Sequence, residues 1–90
     1  MGVLYAVLLG GSGGPGRLSE DHETVFVVAD DERGAKAAAK QRWSGHGRPH
    51  VDALQALTTV DGYEVQLVAG SDDERSVLIS YNDDPHDEAD

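Results

Sequence analysis

The sequence predicts a small α+β domain in the order β-β-α-β-β-β, with a mixed or antiparallel sheet of about five strands and one main helix on one face. Three features predict this class. Val3–Leu9 is a nearly continuous apolar run, typical of a strand buried on both faces. Glu32–Trp43 follows capping residues and carries a face of alanines. Asp61-Gly62, between β-forming residues, is a strong signal for a two-residue hairpin.

The first half of the sequence predicts two strands, with a glycine-rich loop in the connection between them. Val3–Leu9 is expected at the centre of the sheet, with Gly10–Gly16 as a loop that ends it. Leu18–His22 is predicted as a turn or two of helix, with Ser19 as its cap. Thr24–Ala29 is β-branched and aromatic, so it is predicted as the second strand.

The main helix is predicted over Glu32–Trp43, with Asp30 and Asp31 as N-cap candidates. Its small face is expected to sit close on the sheet and its basic stripe to be solvated. The small face consists of Ala35, Ala38 and Ala39, and the basic stripe of Arg33, Lys36 and Lys40.

The hairpin register follows from counting outward from Asp61-Gly62. Val60 should face Tyr63, and the arms are predicted to pair over 54–60 and 63–69 with Tyr63 on the apolar side. Phe26 and Tyr63 are expected in the core. Ser76–Tyr81 is predicted as the last strand, which gives a single domain over 1–81. The acidic segment 82–90 is predicted to be a disordered tail.

Composition narrows the function classes. The chain has 90 residues and no cysteine, so it is one small domain without disulfides or thiolate metal ligands. The net charge of −10 argues against nucleic acid as a partner. No apolar run approaches the roughly 18–20 residues of a membrane span, so no membrane association is expected. The apolar start lacks a basic segment, so the expected location is cytoplasmic.

Short motifs recur along the chain at ordered spacings. They are Leu8-Leu9-Gly10-Gly11, Gly16-Arg17, His22 with Phe26, His50-Val51-Asp52-Ala53, and Val60-Asp61-Gly62-Tyr63. From about Leu4 to Val68 the chain resembles the small bacterial family called Domain of Unknown Function 1543. The resemblance implies the strand and turn layout but no activity. It also implies that some members carry two copies of the domain in one chain, similar to a fused dimer.

The glycine segment after the first strand suggests a ligand site. Gly11–Gly16 matches G-x-G-x-x-G, but the following segment is too short for the crossover helix of a dinucleotide-binding fold. Successive glycine amides followed by Arg17 favour instead an anion-binding nest. In the resembled family the Gly-Gly and Gly-Arg pairs recur, here at Gly10-Gly11 and Gly16-Arg17. Gly11 and Arg17 are therefore the candidate ligand-binding residues.

Histidines and one carboxylate suggest a second site. His50 and Asp52 are two residues apart, so on a strand they share a face. With His22 they would offer two imidazoles and a carboxylate, a set that binds transition metals. The sequence has no closely spaced pair of ligands, such as H-x-x-x-H, that would fix such a site locally. His46 does not form such a pair either. We therefore favour a His50–Asp52 hydrogen bond, with His22 acting as a cap or bonded to backbone, and predict no metal or other cofactor. Ser19, His22 and Asp52 are candidates for acid–base catalysis.

Three classes of function remain. The first is a small bacterial binding or interaction domain that takes a small anionic ligand near the glycine loop. The second is a small enzyme in which Arg17, His22, His50 and Asp52 converge for metal-assisted or acid–base chemistry. The third is an acidic regulator or immunity-type protein that binds a basic partner.

A homodimer is expected on geometric grounds. Five strands at about 4.8 Å make a sheet roughly 20 Å wide, whereas one helix covers a stripe of about 10 Å. Because the first strand is apolar on both sides, its second side needs cover. A second copy can supply it, by face-to-face packing or by edge pairing through Ser76–Tyr81.

Overall fold

The computed structural model describes residues 2–71. The elements in chain order are β1 (Val3–Ser12), β2 (Glu20–Ala29), α1 (Glu32–Lys40), β3 (His46–Ala56), β4 (Thr59–Val60) and β5 (Tyr63–Glu64). Strands β1, β2 and β3 form an antiparallel sheet in the order β2-β1-β3. Strands β4 and β5 form a separate two-stranded sheet. The small α+β class with one helix is confirmed. The single five-stranded sheet is not, since the described strands divide into three and two.

The central position of β1 is confirmed, but the first two strands are longer than predicted. Gly10 and Gly11 lie inside β1, and its ladder with β2 continues to the pair Ser12–Glu20. The helical turn predicted at Leu18–His22 is therefore wrong. Pairing with β1 satisfies the backbone groups of this segment without a helix.

Helix α1 begins where predicted and ends three residues early. The Asp31 carboxylate accepts a hydrogen bond from Gly34 N at 2.8 Å, so Asp31 is the N-cap. After Lys40 the α-helical hydrogen bonds give way to bonds that reach back only three residues. Arg42 N donates to Ala39 O, and Trp43 N donates to Lys40 O.

The core lies between α1 and one face of the sheet. It consists of Tyr5, Val7, Leu9, Val27, Ala35 and Ala39. The opposite face of the β2-β1-β3 sheet carries the intervening residues, and we call it the open face. Its central strand contributes Leu4, Ala6, Leu8 and Gly10; the flanking residues are Glu20, His22, Thr24, Phe26, Val28, His50, Asp52, Ala53 and Gln55. The one helix of the described residues packs on the core side.

The hairpin turn and the part of the arms next to it are confirmed, but the outer part of the arms is not. Val60 pairs with Tyr63, and Asp61 and Gly62 adopt φ of 54° and 82°. Thr59 pairs with Glu64, and Val65 N donates to Thr58 O, both as the predicted register requires. The predicted pairs of Ala56 with Leu67 and of Leu54 with Ala69 are wrong. Leu54 and Ala56 belong to β3 and pair instead with Val7 and Tyr5 of β1. Pairing with a central apolar strand buries more surface than pairing within an isolated hairpin. This difference explains why Leu54 and Ala56 pair with β1.

Two aromatic residues expected in the core are exposed. The exposed fraction is 57% for Phe26 and 77% for Tyr63. Phe26 pairs with Ala6 on the open face, and Tyr63 lies on the short β4–β5 ribbon. The predicted strand Ser76–Tyr81 and the predicted tail 82–90 lie outside the described residues. Within residues 2–71, no helix is long and apolar enough to cross a membrane.

Candidate functional site

Two histidines meet one carboxylate on the open face. His22 Nε2 lies 3.1 Å from Asp52 Oδ2, and His50 Nε2 lies 3.0 Å from Asp52 Oδ1. The predicted contact between His50 and Asp52 is confirmed. The prediction that His22 acts as a cap or bonds to backbone is wrong, because His22 lies within β2 and its imidazole contacts Asp52.

A second carboxylate faces the same two rings. Glu20 Oε1 lies 3.6 Å from His50 Nε2 and 3.8 Å from His22 Nε2. Both imidazoles therefore present Nε2 toward both carboxylates. We call Glu20, His22, His50 and Asp52 the His/carboxylate cluster.

The sheet register assembles this cluster from two strands, β2 and β3, on either side of β1. Gly10 of β1 pairs with His22 on one side and with His50 on the other. The register of β3 shifts between Leu8 and Leu9, where Asp52 is the extra residue. This β-bulge leaves Asp52 without a partner residue on β1, on the face that it shares with His50, two residues away.

Gly10 leaves the space that the cluster occupies. A Cβ at this position would lie 2.7 Å from Asp52 Oδ2, 2.9 Å from His50 Nε2 and 3.1 Å from His22 Cδ2. These distances are shorter than van der Waals contact, so only glycine allows the three side chains to close over the central strand.

The cluster is open to solvent and carries negative charge. Each imidazole is 50% exposed, Glu20 is 53% exposed and Asp52 is 32% exposed. Among residues 2–71, no lysine or arginine forms an ion pair with either carboxylate of the cluster. The cluster therefore suits a cationic ligand better than an anionic one.

The other predicted site residues lie elsewhere. Arg17 pairs with Asp21, not with the cluster. Ser19 lies in a bend before β2 and makes no hydrogen bond with His22 in the described part of the chain. The Ser19–His22–Asp52 arrangement is therefore not formed. His46 lies at the start of β3, opposite Ser12.

The glycine segment does not resemble an anion nest. Gly11 is buried within β1, and a Cβ there would touch the Trp43 ring at 3.0 Å. The carboxylate of Asp21 lies against Gly13 and forms an ion pair with the Arg17 guanidinium. Anion binding by Gly11 and Arg17 stays a prediction, and these contacts do not favour it, because a carboxylate already neutralises the arginine.

Comparison with protein families gives one match. Residues 17–67 match the family model described as Domain of Unknown Function (DUF1543). The chain belongs to this family. No curated protein and no solved structure matches the chain. The DUF1543 match includes all four members of the His/carboxylate cluster and begins after Gly10 and Gly11.

The DUF1543 cluster has the donor set of a transition-metal site. Two ligand atoms about 2.1 Å from one ion lie about 3.0–3.4 Å apart. The four measured N···O separations, 3.0, 3.1, 3.6 and 3.8 Å, lie in or just above this range. In residues 2–71, however, no group of three or more His, Cys, Asp or Glu side chains is arranged so that it could hold a metal ion. An ion would therefore have to enter between the imidazoles and the carboxylates.

Sequence reasoning found three of the four cluster residues and missed Glu20. The signal was present, because Glu20 and His22 are two residues apart, as are His50 and Asp52. Predicting Leu18–His22 as helix placed Glu20 and His22 on different faces. Recognised as strand, the segment puts both side chains on one face.

Proposed function

We propose that this DUF1543 domain binds a divalent transition-metal ion at the His/carboxylate cluster. The observation that supports the proposal is that both Nε2 atoms and two carboxylates face one another above Gly10. Imidazole and carboxylate together favour Zn²⁺, Fe²⁺ or Mn²⁺ over Mg²⁺ and Ca²⁺, which prefer oxygen ligands alone.

In this proposal three residues are the main ligands. His22 and His50 coordinate through Nε2, and Asp52 coordinates through a carboxylate oxygen. Glu20 lies further from both rings and acts as a fourth ligand or holds a metal-bound water. Because the imidazoles are half exposed, the ion keeps coordination positions toward solvent, as catalytic and sensing sites do.

Metal titration tests the proposal directly. The full chain, freed of any affinity tag and stripped with EDTA, is titrated with ZnCl₂, CoCl₂ and MgCl₂ in a calorimeter. We expect one Zn²⁺ or Co²⁺ per chain and no heat of binding from Mg²⁺. His22→Gln, His50→Gln and Asp52→Asn should each weaken binding by more than about 100-fold, since losing even an outer-shell partner costs 10–100-fold.

His46→Gln is the matched control for these variants. It removes an imidazole from the same strand, β3, but from outside the cluster. Its affinity for Zn²⁺ should equal that of the wild type. Absence of Zn²⁺ binding, or equal losses in His46→Gln and His22→Gln, would contradict the proposal.

A second candidate is acid–base catalysis without a metal. The observation that favours it is the hydrogen-bond length of the two contacts between Asp52 and the imidazoles. A carboxylate in this position orients an imidazole and stabilises its protonated form. This candidate predicts that the metal-free protein hydrolyses p-nitrophenyl acetate faster than a surface imidazole outside the cluster, such as that of His46, can account for. Asp52→Asn should remove this excess rate.

A further inference from the structure

The two strands that build the His/carboxylate cluster are held to β1 with different regularity. Strand β2 pairs with β1 along its whole length without a break in register. The ladder between β1 and β3 instead shifts register twice, between Leu8 and Leu9 and again between Gly10 and Ser12. His50 lies between these two shifts. Because each shift interrupts the ladder, pairing with β1 alone does not fix this part of β3.

The connection between α1 and β3 supplies a second anchor, and this anchor is on β2. Both oxygens of the Glu23 carboxylate accept hydrogen bonds from Ser44, Oε1 from the backbone N at 3.1 Å and Oε2 from the hydroxyl at 3.0 Å. We call these two bonds the Glu23 tie. Arg42 of the same connection donates from Nη1 to Phe26 O at 2.6 Å. Since Ser44 lies just before β3 begins, these contacts attach the start of β3 to β2 independently of β1.

Glu23 lies next to the cluster along β2 but on the other side of the sheet. It follows His22 directly, and its partner on β1 is Leu9, the neighbour of Gly10. Successive side chains of a strand point to opposite faces, so Glu23 points away from the open face. Any effect of Glu23 on the cluster must therefore pass through the positions of the strands.

We propose that Glu23 is a positioning residue that sets the contact between His22 and Asp52. His50 and Asp52 lie two residues apart on β3, so their contact of 3.0 Å is local. His22 lies on β2, so its contact of 3.1 Å with Asp52 depends on how the two strands are held together. As far as metal affinity is concerned, this inference rests on the proposed function, because an ion needs ligands from both strands; the geometry of the cluster does not depend on a metal.

Histidine side-chain ¹H–¹⁵N spectra of the full chain in EDTA test the positioning role without metal. Glu23→Ala removes both acceptors and should shift the Nε2 signal of His22, because the contact with Asp52 opens. The signal of His50 should stay in place. Glu23→Gln keeps one acceptor oxygen and should return the His22 signal toward its wild-type position. The double variant of Glu23→Ala and Ser44→Ala should match Glu23→Ala, since two changes to one contact are not additive.

Calorimetric Zn²⁺ titration of the same variants measures the consequence for binding. Glu23→Ala should lower the Zn²⁺ affinity by about 10-fold, the effect of losing a residue that orients metal ligands. Glu23→Gln should lower it by only about 3-fold, which is half of that loss on a logarithmic scale. Circular dichroism checks that each variant remains folded.

Two control variants separate positioning from charge and from stability. Glu64→Ala removes a carboxylate from β5, outside the tie, and changes the net charge as Glu23→Ala does. Asp31→Ala removes the N-cap of α1 and lowers the stability of the fold without removing a member of the tie. Both controls should keep the wild-type His22 signal and the wild-type Zn²⁺ affinity.

The outcomes distinguish this proposal from metal binding itself. An unchanged His22 signal in Glu23→Ala would overturn the positioning role, and so would equal shifts at His22 and His50 or equal effects of either control. Zinc binding by the wild type that Glu23→Ala leaves equally tight would also overturn it. If the wild type binds no Zn²⁺ and Glu23→Ala still shifts His22 alone, the proposed metal site is wrong and the positioning role of Glu23 is supported.

Discussion

Gly10 illustrates how one residue decides whether the cluster can form. The sequence predicts that it ends β1, yet it lies inside the strand between His22 and His50. A glycine inside a strand is typical of a close approach by other groups, and here these groups are the cluster side chains.

Replacing Gly10 by alanine should disrupt the cluster more than the fold. The new Cβ would meet Asp52 Oδ2 at 2.7 Å, so the carboxylate and His50 must move apart. We expect Zn²⁺ affinity to fall by more than about 10-fold, the effect of misplacing metal ligands. Calorimetric titration measures the affinity, and thermal unfolding should show little change.

Gly11→Ala provides the comparison for Gly10→Ala. Its Cβ would touch the Trp43 ring on the core side of the sheet, remote from the cluster. This variant should lower the melting temperature and leave Zn²⁺ affinity unchanged. The reverse pattern, with Gly10→Ala losing stability but not affinity, would refute the role assigned to Gly10.

The site was partly predictable from residue spacing. His50 and Asp52 share a face because they are two residues apart on a strand, and the structure confirms their contact. His22 lies beside them only because of the β1–β2 register, which no local sequence pattern specifies. Arg17 was expected to join them, but it has a nearer acidic partner in Asp21.

Among the elements, helix α1 was the best predicted, because its start depends on local chemistry. Asp31 accepts the Gly34 amide, and Ala35 and Ala39 are fully buried against the sheet. The strand β3 was the least predictable. It contains Gly47, Pro49 and Asp52, which disfavour strands, and pairing with β1 overrides that preference.

The N-cap of α1 can be tested by a pair of substitutions. Asp31→Ala removes the acceptor for Gly34 N and should lower the free energy of unfolding by about 1 kcal/mol. Asp31→Asn keeps an acceptor oxygen and should cost much less. Urea unfolding followed by circular dichroism measures both. Equal losses in the two variants would mean that charge, and not the hydrogen bond, stabilises the helix start.

At the scale of the molecule, the described residues pack one short helix on one side of the β2-β1-β3 sheet, which produces an uneven surface. The core side is closed by α1, and the open face carries apolar residues at one end and the His/carboxylate cluster at the other. From the sequence, Val3–Leu9 is apolar on both faces, so we expect the second side of β1 to need cover that α1 does not supply. The sequence did not predict that Phe26 lies there, because strand alternation alone does not tell which face a helix will cover.

The distribution of charge bears on the acidic-regulator hypothesis. Residues 2–71 contain nine acidic and six basic residues, whereas 72–90 contain eight acidic residues and one arginine. The excess that motivated the hypothesis therefore lies mainly outside the described residues. Within them, the closest gathering of carboxylates with imidazoles is the cluster itself.

The most direct test of metal binding at the cluster is a long-range ¹H–¹⁵N spectrum of the histidine side chains during Zn²⁺ addition. Coordination changes the ¹⁵N shift of the ligating nitrogen, so each imidazole reports its own state. We expect the Nε2 signals of His22 and His50 to move together and to saturate at one equivalent, while the signals of His46 stay in place. Unchanged His22 and His50 signals, or equal changes at His46, would contradict a metal site on the open face.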